Sequence, residues 1–336
     1  MANKTWTLRS GDDTAEISAF GAIALSWKVK RGDELVELLD GYASDEEREE
    51  LHGYRNAVLA PWSNRIADSR FSFGGHDVDL GPDAEGVREG LHGLIAAKQF
   101  VELDRAEDWI QLACQVGGEG QDYPFSVQVH VLYRLYGTDG KHRLELTIKA
   151  ANTGTEDAPI TLGWHPYLRY IAPKQLAQVT IPASEVVRTN AANIPLEGDE
   201  AFVAAEDSAA AGVFPEGVDV SAGEDGFIIT GPADLDHAFT SLTVDPDGWA
   251  RGYLAYGDGS ATTVEFVPDT VSRGIGIFQV FTGEVLPERG GEAIAFEPCL
   301  AMTDAFNRTE CSEWVTVAPG DVRELRAALS FSEHAE

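Results

Sequence analysis

Phe125-Ser126-Val127-Gln128-Val129-His130-Val131-Leu132-Tyr133-Arg134-Leu135 alternates polar and apolar over most of its length, and Leu144-Glu145-Leu146-Thr147-Ile148-Lys149-Ala150 does the same. A period of two sends every second side chain to one face, so each stretch predicts a strand with one buried and one wet face. Such strands belong to antiparallel sheets, because parallel sheets are covered on both sides. Outward from this pair the same signal recurs. Trp109–Cys114 reads as a strand. Trp6–Leu8 and Ala15–Ala19 flank the turn residues Ser10-Gly11-Asp12-Asp13, and Ala22–Val29 and Glu34–Leu38 follow. Phe71–Phe73 and Val78–Leu80 flank Gly74-Gly75, a hairpin signal. Helical stretches are few and short, Ser44–Leu51 being the clearest. No βαβ alternation and no glycine-rich nucleotide loop after a strand is present. The sequence therefore predicts an all-β fold, a large antiparallel β-sandwich in a single domain over residues 1–336, with Ala201 to Asp225 as a surface excursion between strands.

Composition narrows the partners. Against 25 basic residues stand 56 acidic ones, a net charge of −31. Nucleic acid and anionic membranes need a positive surface, so neither is expected as a partner, and a phosphate ester is disfavoured as substrate. Apolar runs stay far below the ~20 residues of a membrane helix. The first residues lack a charged-then-apolar signal layout, and the 3 cysteines form no Cys-x-x-Cys pair, so the expected location is cytoplasmic and reducing. The histidines show no mutual metal-ligand spacing; no metal or cofactor is expected. The acidic run Asp45–Glu50 reads as an exposed helical turn.

Two residues stand out chemically. Glu297 follows the apolar run Ala293-Ile294-Ala295-Phe296 and precedes Pro298; His165 sits in Gly163-Trp164-His165-Pro166-Tyr167 after the β-rich Ala158–Leu162. Each is expected at a strand end, aimed into a cavity. A carboxyl against apolar walls resists ionisation and becomes a usable proton acceptor, and an imidazole is the natural partner for the opposite transfer. Cys299, two residues from Glu297, is a possible thiol nucleophile or a core residue. Read singly, His92 in Gly90-Leu91-His92-Gly93 is also a loop histidine, Arg65 also a surface ion-pair residue and Asp236 also a turn residue.

Taken in order, these pieces resemble the aldose 1-epimerase (galactose mutarotase-like) family over nearly the whole chain. The resemblance rests on Asn64-Arg65-Ile66 with Phe71 and Gly74-Gly75, Leu91-His92-Gly93, His165-Pro166-Tyr167, Asp236-His237, Gln279–Gly283, Glu297-Pro298 and Asp304–Asn307. It implies a large β-sandwich and a cofactor-free interconversion of the α and β anomers of a free aldose. Glu297 matches the general base that takes the anomeric hydroxyl proton, and His165 the acid that protonates the ring oxygen. Arg65, His92 and Asp236 match sugar-contacting positions, and Asn64 and Gln279 are assigned to the same side. The pair should face one cavity, about one pyranose apart. The small-molecule sugar is the expected partner, and the chain is expected to be a monomer or homodimer.

Two departures stand out. Trp164 occupies a position where the family often has Asn, and Phe281 one where it often has Tyr. Trp62, Trp164 and Phe281 are candidates for an apolar wall against a sugar face, or for the core. A hexose-6-phosphate 1-epimerase shares the fold and would need a phosphate cluster, for which Arg70, Arg88, Arg169 and Arg273 are candidates. A non-catalytic sugar-binding sandwich is a further alternative. A glycosidase needs two flanking carboxylates, and only Glu297 has a clear claim.

Overall fold

A computed structural model describes residues 4–138, 140–223 and 226–334. The two alternating stretches pair antiparallel as strands Val127–Tyr136 and His142–Asn152, with Val131 opposite Ile148 and Tyr133 opposite Leu146. Val127, Val129, Val131, Tyr133 and Leu135 are buried, whereas the residues between them are half-buried. These strands lie inside a ten-stranded sheet that runs from Asp219–Gly223 at one edge to Val101–Arg105 at the other. Facing it is an eight-stranded sheet in the order Phe202–Ala204, Ala183–Val187, Asp236–Leu242, Ile275–Phe281, Ala293–Ala301, Gly163–Trp164, Val58–Leu59, with Tyr167–Arg169 also paired to Ala293–Ala301. Residues 5–37 add a four-stranded sheet. The fold is all-β and antiparallel in every strand pair described.

Local signals account for the small elements. Gly74 and Gly75, both at positive φ, join Arg70–Phe73 to His76–Asp79. The helix Asp45–Glu50 starts where Ser44 Oγ accepts from Glu47 N–H at 3.2 Å while the Glu47 carboxylate accepts from Ala43 N–H at 2.7 Å, a reciprocal cap. Among the described residues no helix is long and apolar enough to cross a membrane. The expected excursion over Ala201–Asp225 is corrected in part. It contributes Phe202–Ala204 to one sheet and Asp219–Gly223 to an edge of the other, and Glu224 and Asp225 lie outside the described residues. An edge strand of small and acidic residues carries little apolar periodicity, which hid it.

Between the sheets, the Phe266 ring lies 5.0 Å from Phe278, and Phe278 lies 4.9 Å from Phe296. Residue 252 must be glycine for this packing: a Cβ there would lie 2.2 Å from the Phe296 ring. Because Phe296 enters the core, the period of two turns Glu297 to the other face of the sheet. Gln279 lies opposite Glu297, and Phe281 opposite both Asp236 and Ala295. Three adjacent strands thus present Asp236, Gln279, Phe281 and Glu297 on one face, away from the core.

Candidate active site

Glu297 is not at a strand end. The strand Ala293–Ala301 is buried throughout and places Glu297 at its centre, with Pro298 inside it. Proline is tolerated because the neighbouring chain breaks there. Phe296 N–H donates to Pro166 O at 3.1 Å and Leu300 N–H to Leu162 O at 2.9 Å; the donor that position 298 lacks falls between them. His165 occupies that break, between Gly163–Trp164 and Tyr167–Arg169. Its segment is fully tied down. His165 N–H donates to Ala57 O (3.0 Å), His165 O accepts from Asn56 N–H (3.0 Å), Tyr167 N–H donates to Asn56 Oδ1 (2.8 Å) and Tyr167 O accepts from Asp40 N–H (2.9 Å).

The result is a contact between His165 Nε2 and Glu297 Oε1 at 3.3 Å, with both side chains at most 5% exposed. The expected separation of one pyranose is therefore corrected. Burial holds the Glu297 carboxyl well above the usual carboxylate range, and the Asp236 charge adds to this against the opposing pull of Arg65. Burial pushes His165 down to about 3, and the Arg55 charge reinforces the shift. Both causes favour a neutral pair holding a single proton.

The pair opens on a cavity of about 320 Å³, within the range of small-molecule sites. Asn64, Arg65, His92 and Asp236 line it with them. His92 N–H donates to Asn64 O at 2.9 Å, and His92 Nδ1 accepts from Asn64 N–H at 3.2 Å. Nδ1 is thus the acceptor, and Nε2 carries the proton of the neutral ring. Burial keeps His92 neutral, holding it well below the usual imidazole range, aided by the positive charge of Arg65. Asn64 also accepts from Arg65 N–H through Oδ1 at 2.8 Å, so it frames the cavity as well as lining it. Arg65 has an ion pair to Glu89 at 3.6 Å. Gln279 does not line this cavity. It lines an adjoining one of about 10 Å³, room for roughly one water, and its Nε2 donates to Asp236 Oδ1 at 2.6 Å. His237 points the opposite way from Asp236 and contacts Val213 O at 3.0 Å through Nε2.

Among the described residues, Glu297 Oε2 and His165 Nδ1 are buried without a hydrogen-bond partner. Buried polar atoms are ordinarily paired, so two such atoms on one contacting pair mark it as a site. Four contributors carried no sequence signal. Asn193 donates to Asp236 Oδ2 at 3.1 Å, the Tyr54 ring lies 4.6 Å from His92, and Val285 and Leu286 line the mouth. Tyr167, quoted only as part of a motif, stacks on His165 at 5.1 Å and 5°. The alternatives left open for the three aromatic residues and Cys299 are decided here. Of the three wall candidates only Phe281 lines the cavity; Trp62 donates to Gly90 O, and Trp164 is wholly buried, 6.5 Å from the Tyr133 ring. Cys299 is buried, and burial pushes its thiol well above the usual range, unlike a nucleophile. Glu50, His52 and Glu288 bring three donor atoms within 4.8 Å of one another, a grouping that sequence spacing could not show.

A family model described as aldose 1-epimerase matches residues 4–222. The chain belongs to the aldose 1-epimerase family. The matched span contains Asn64, Arg65, His92 and His165; Asp236, Gln279 and Glu297 lie beyond it. Among curated proteins, the uncharacterized protein YihR of Escherichia coli is 28% identical over 167 residues, covering 50% of this chain and 51% of its own. The aldose 1-epimerase of Escherichia coli is 27% identical over 186 residues, covering 53% and 52%. The chain thus spans about half the length of the curated relatives it matches. Solved structures extend the likeness of fold to the full length. A GalM/aldose epimerase homologue from C. elegans gives a TM-score of 0.77 at 15% identity, covering 99% of this chain and 100% of that one. A galactose 1-epimerase from Lactobacillus acidophilus gives 0.74 at 13% identity, covering 99% and 95%.

Proposed function

We propose that this aldose epimerase interconverts the anomers of a free, uncharged aldose, with Glu297 and His165 as its proton-handling pair. The observation that carries this reading is the buried 3.3 Å contact between them at the floor of a sugar-sized cavity. In the ring-opening step the anomeric O–H gives its proton to Glu297, C1=O1 forms and the C1–O5 bond breaks. O5 takes a proton from His165. Rotation about C1–C2 presents the other face of the aldehyde, and closure reverses both transfers. The cycle consumes nothing and needs one proton in the pair throughout. In the free protein burial places that proton on the carboxyl, so a shift to the imidazole across the 3.3 Å contact readies Glu297 as base and His165 as acid. Each positioned transfer contributes roughly 10²–10⁴-fold. His92 donates through Nε2–H and Arg65 through its guanidinium to sugar oxygens, while Asp236, its two oxygens held by Gln279 and Asn193, accepts from sugar hydroxyls.

The charges argue against a phosphosugar. Arg70 and Arg88 are bound to Asp79, Arg169 to Asp40, and Arg273 to Glu185 and Asp199. None of the four lines the cavity, where Arg65 is the sole Lys or Arg among the described residues. A lectin has no use for an unpaired carboxyl beside an imidazole, a costly arrangement that suits proton transfer. Anomer-exchange NMR over free and phosphorylated aldoses tests the reading. Acceleration of a free aldose supports it, with loss of that acceleration in His165→Asn; tight sugar binding without exchange overturns it.

A further inference from the structure

Behind the site, one buried carboxylate collects three guanidinium groups. Asp40 is 1% exposed. It accepts from Arg55 Nε at 3.0 Å, from Arg169 Nη2 at 2.8 Å and from Arg289 Nε at 3.1 Å. Two of these arginines lead back to the cavity by separate routes. Arg55, 1% exposed, lies over the Tyr167 ring at 5.6 Å, and Tyr167 stacks on His165. The Arg55 guanidinium also donates to His52 O at 3.1 Å and to Glu288 O. Arg289 belongs to residues 282–292, which connect the two strands carrying Gln279 and Glu297 and bring Val285 and Leu286 to the cavity mouth. Arg289 is further held by Glu47 Oε1 at 2.7 Å and Gly41 O at 3.0 Å. Leu286 and Phe281 pack against the buried cluster of Tyr167, Ala293 and Ala295. The Arg169 guanidinium shares the carboxylate and donates to Leu39 O at 3.1 Å; among the described residues it has no hydrogen bond to Tyr167 or to residues 282–292.

Five charges are thus committed behind the cavity, Asp40 and Glu47 against Arg55, Arg169 and Arg289. Taking charges out of water is costly and is often matched by plain hydrophobic packing, so stability alone is a poor reason for the cluster. What it supplies is direction. A guanidinium is planar, with donors in fixed positions, and Asp40 fixes the planes of Arg55 and Arg289 relative to each other.

We propose that Asp40, through Arg55 and Arg289, is a positioning residue that ties the His165–Tyr167 ring stack to the mouth segment 282–292. Through Arg55 it fixes the plane of Tyr167 and so of the His165 ring, where a misplacement of ~1 Å costs about 10²-fold in rate. Through Arg289 it holds Val285 and Leu286 over the bound sugar, an interaction equal in ground and transition states that acts on KM. The kinetic part rests on the proposed epimerase activity; the coupling itself does not.

The test uses single variants on the two routes, because Asp40→Asn would leave three guanidinium groups without their counter-charge and disturb the fold. Arg55→Met should lower kcat by about 10²-fold with KM little changed. Arg289→Ala should raise KM roughly tenfold at unchanged kcat, and Arg289→Lys, which keeps a charge for Asp40, should recover most of that rise. Arg169→Ala, which removes an ion pair to the same carboxylate, should match wild type in both. Two readouts stand apart from turnover. The His165 imidazole resonances should move in Arg55→Met, and amide exchange within 282–292 should quicken in Arg289→Ala, with neither change in Arg169→Ala. A wild-type protein that exchanges no anomers would overturn the activity reading alone, and these two readouts would then decide the coupling. Equal effects of all three arginines, or none from Arg55 and Arg289, would overturn the positioning role.

Discussion

Glu297→Gln separates the catalytic from the structural role of the buried carboxyl. The amide keeps the side chain's shape but cannot take a proton. Its removal should lower kcat/KM by about 10²–10⁴-fold, the usual contribution of one positioned transfer. Stability should respond in the opposite sense. Burial raises the carboxyl's pKa in the folded protein, so above the ordinary value of 4.5 the unfolded chain has released a proton that the folded chain keeps. Below that value both states hold it and stability has no dependence on this group. As pH rises from there toward the folded pKa, wild-type stability falls by up to about 1.4 kcal/mol per pH unit from this residue. Glutamine cannot ionise, so the variant lacks that slope. His165 has a depressed folded pKa and contributes stability above 6.5 that is lost as pH falls toward about 3. That contribution is common to both proteins and largely cancels in the difference. Urea unfolding of the two proteins at about pH 5, 6.5 and 8, beside exchange NMR at each, gives both quantities. The variant should gain on wild type as pH rises while losing its exchange activity. Wild-type exchange in the variant would remove Glu297 as the base, and a destabilisation constant across pH would show that the carboxyl is not held neutral.

Three further outcomes follow from the same geometry. On the acid side the kcat/KM profile should stay level as pH is lowered through 6.5, because burial places the His165 limb at about 3; a loss of activity on acidification centred near 6.5 would show an imidazole titrating as if in water. Hexose 6-phosphates should not outcompete free hexoses, and added salt should leave the free-sugar KM unchanged, because the four candidate phosphate arginines are held elsewhere; a salt-sensitive preference for the phosphate would reverse this. A water-soluble maleimide should leave the native protein's activity intact, because Cys114, Cys299 and Cys311 are all buried; stoichiometric inactivation would return Cys299 to consideration.

What the sequence disclosed depended on the range of each signal. Alternation in Val127–Tyr136 is local, written in every second residue, and it carried the antiparallel class on its own. Glu297 and His165 were legible because an acid and an imidazole interrupt apolar runs beside prolines. Their arrangement was not. Whether Glu297 ends its strand or sits at its centre depends on where a neighbouring chain, remote in sequence, breaks its ladder; Pro298 reads the same in both cases. Asn193 and Leu286 were invisible for a related reason. Each lies in a connection with no periodicity, and its value comes from Asp236 or Tyr167 lying next to it in space. Asp40 reads as an ordinary acid in a chain rich in acids; its burial and its three arginines are long-range facts.

The two departures from the family's usual pattern looked equivalent in sequence, and the strand period separates them. Trp164 immediately precedes His165, and since His165 faces the cavity, Trp164 turns into the core, where it is wholly buried. Trp164→Asn should therefore cost stability, on the order of 3–5 kcal/mol for a large aromatic lost from a core, and leave sugar preference alone. Phe281 lies on the cavity side and opposite Asp236 in the ladder. A tyrosine there places a hydroxyl beside a carboxylate already held by Gln279 and Asn193. A site built to hydrogen-bond a hydroxyl discriminates strongly, whereas an apolar wall distinguishes sugars weakly, by roughly 10–200-fold per group. Phe281→Tyr should thus reorder KM across a panel of aldoses with kcat for the best substrate unchanged, and wild type should be the more permissive of the two. Identical KM rankings for the two proteins would mean that the sugar does not reach Phe281. The substrate's hydroxyls would then be sought on the opposite side of the cavity, around His92 and Tyr54.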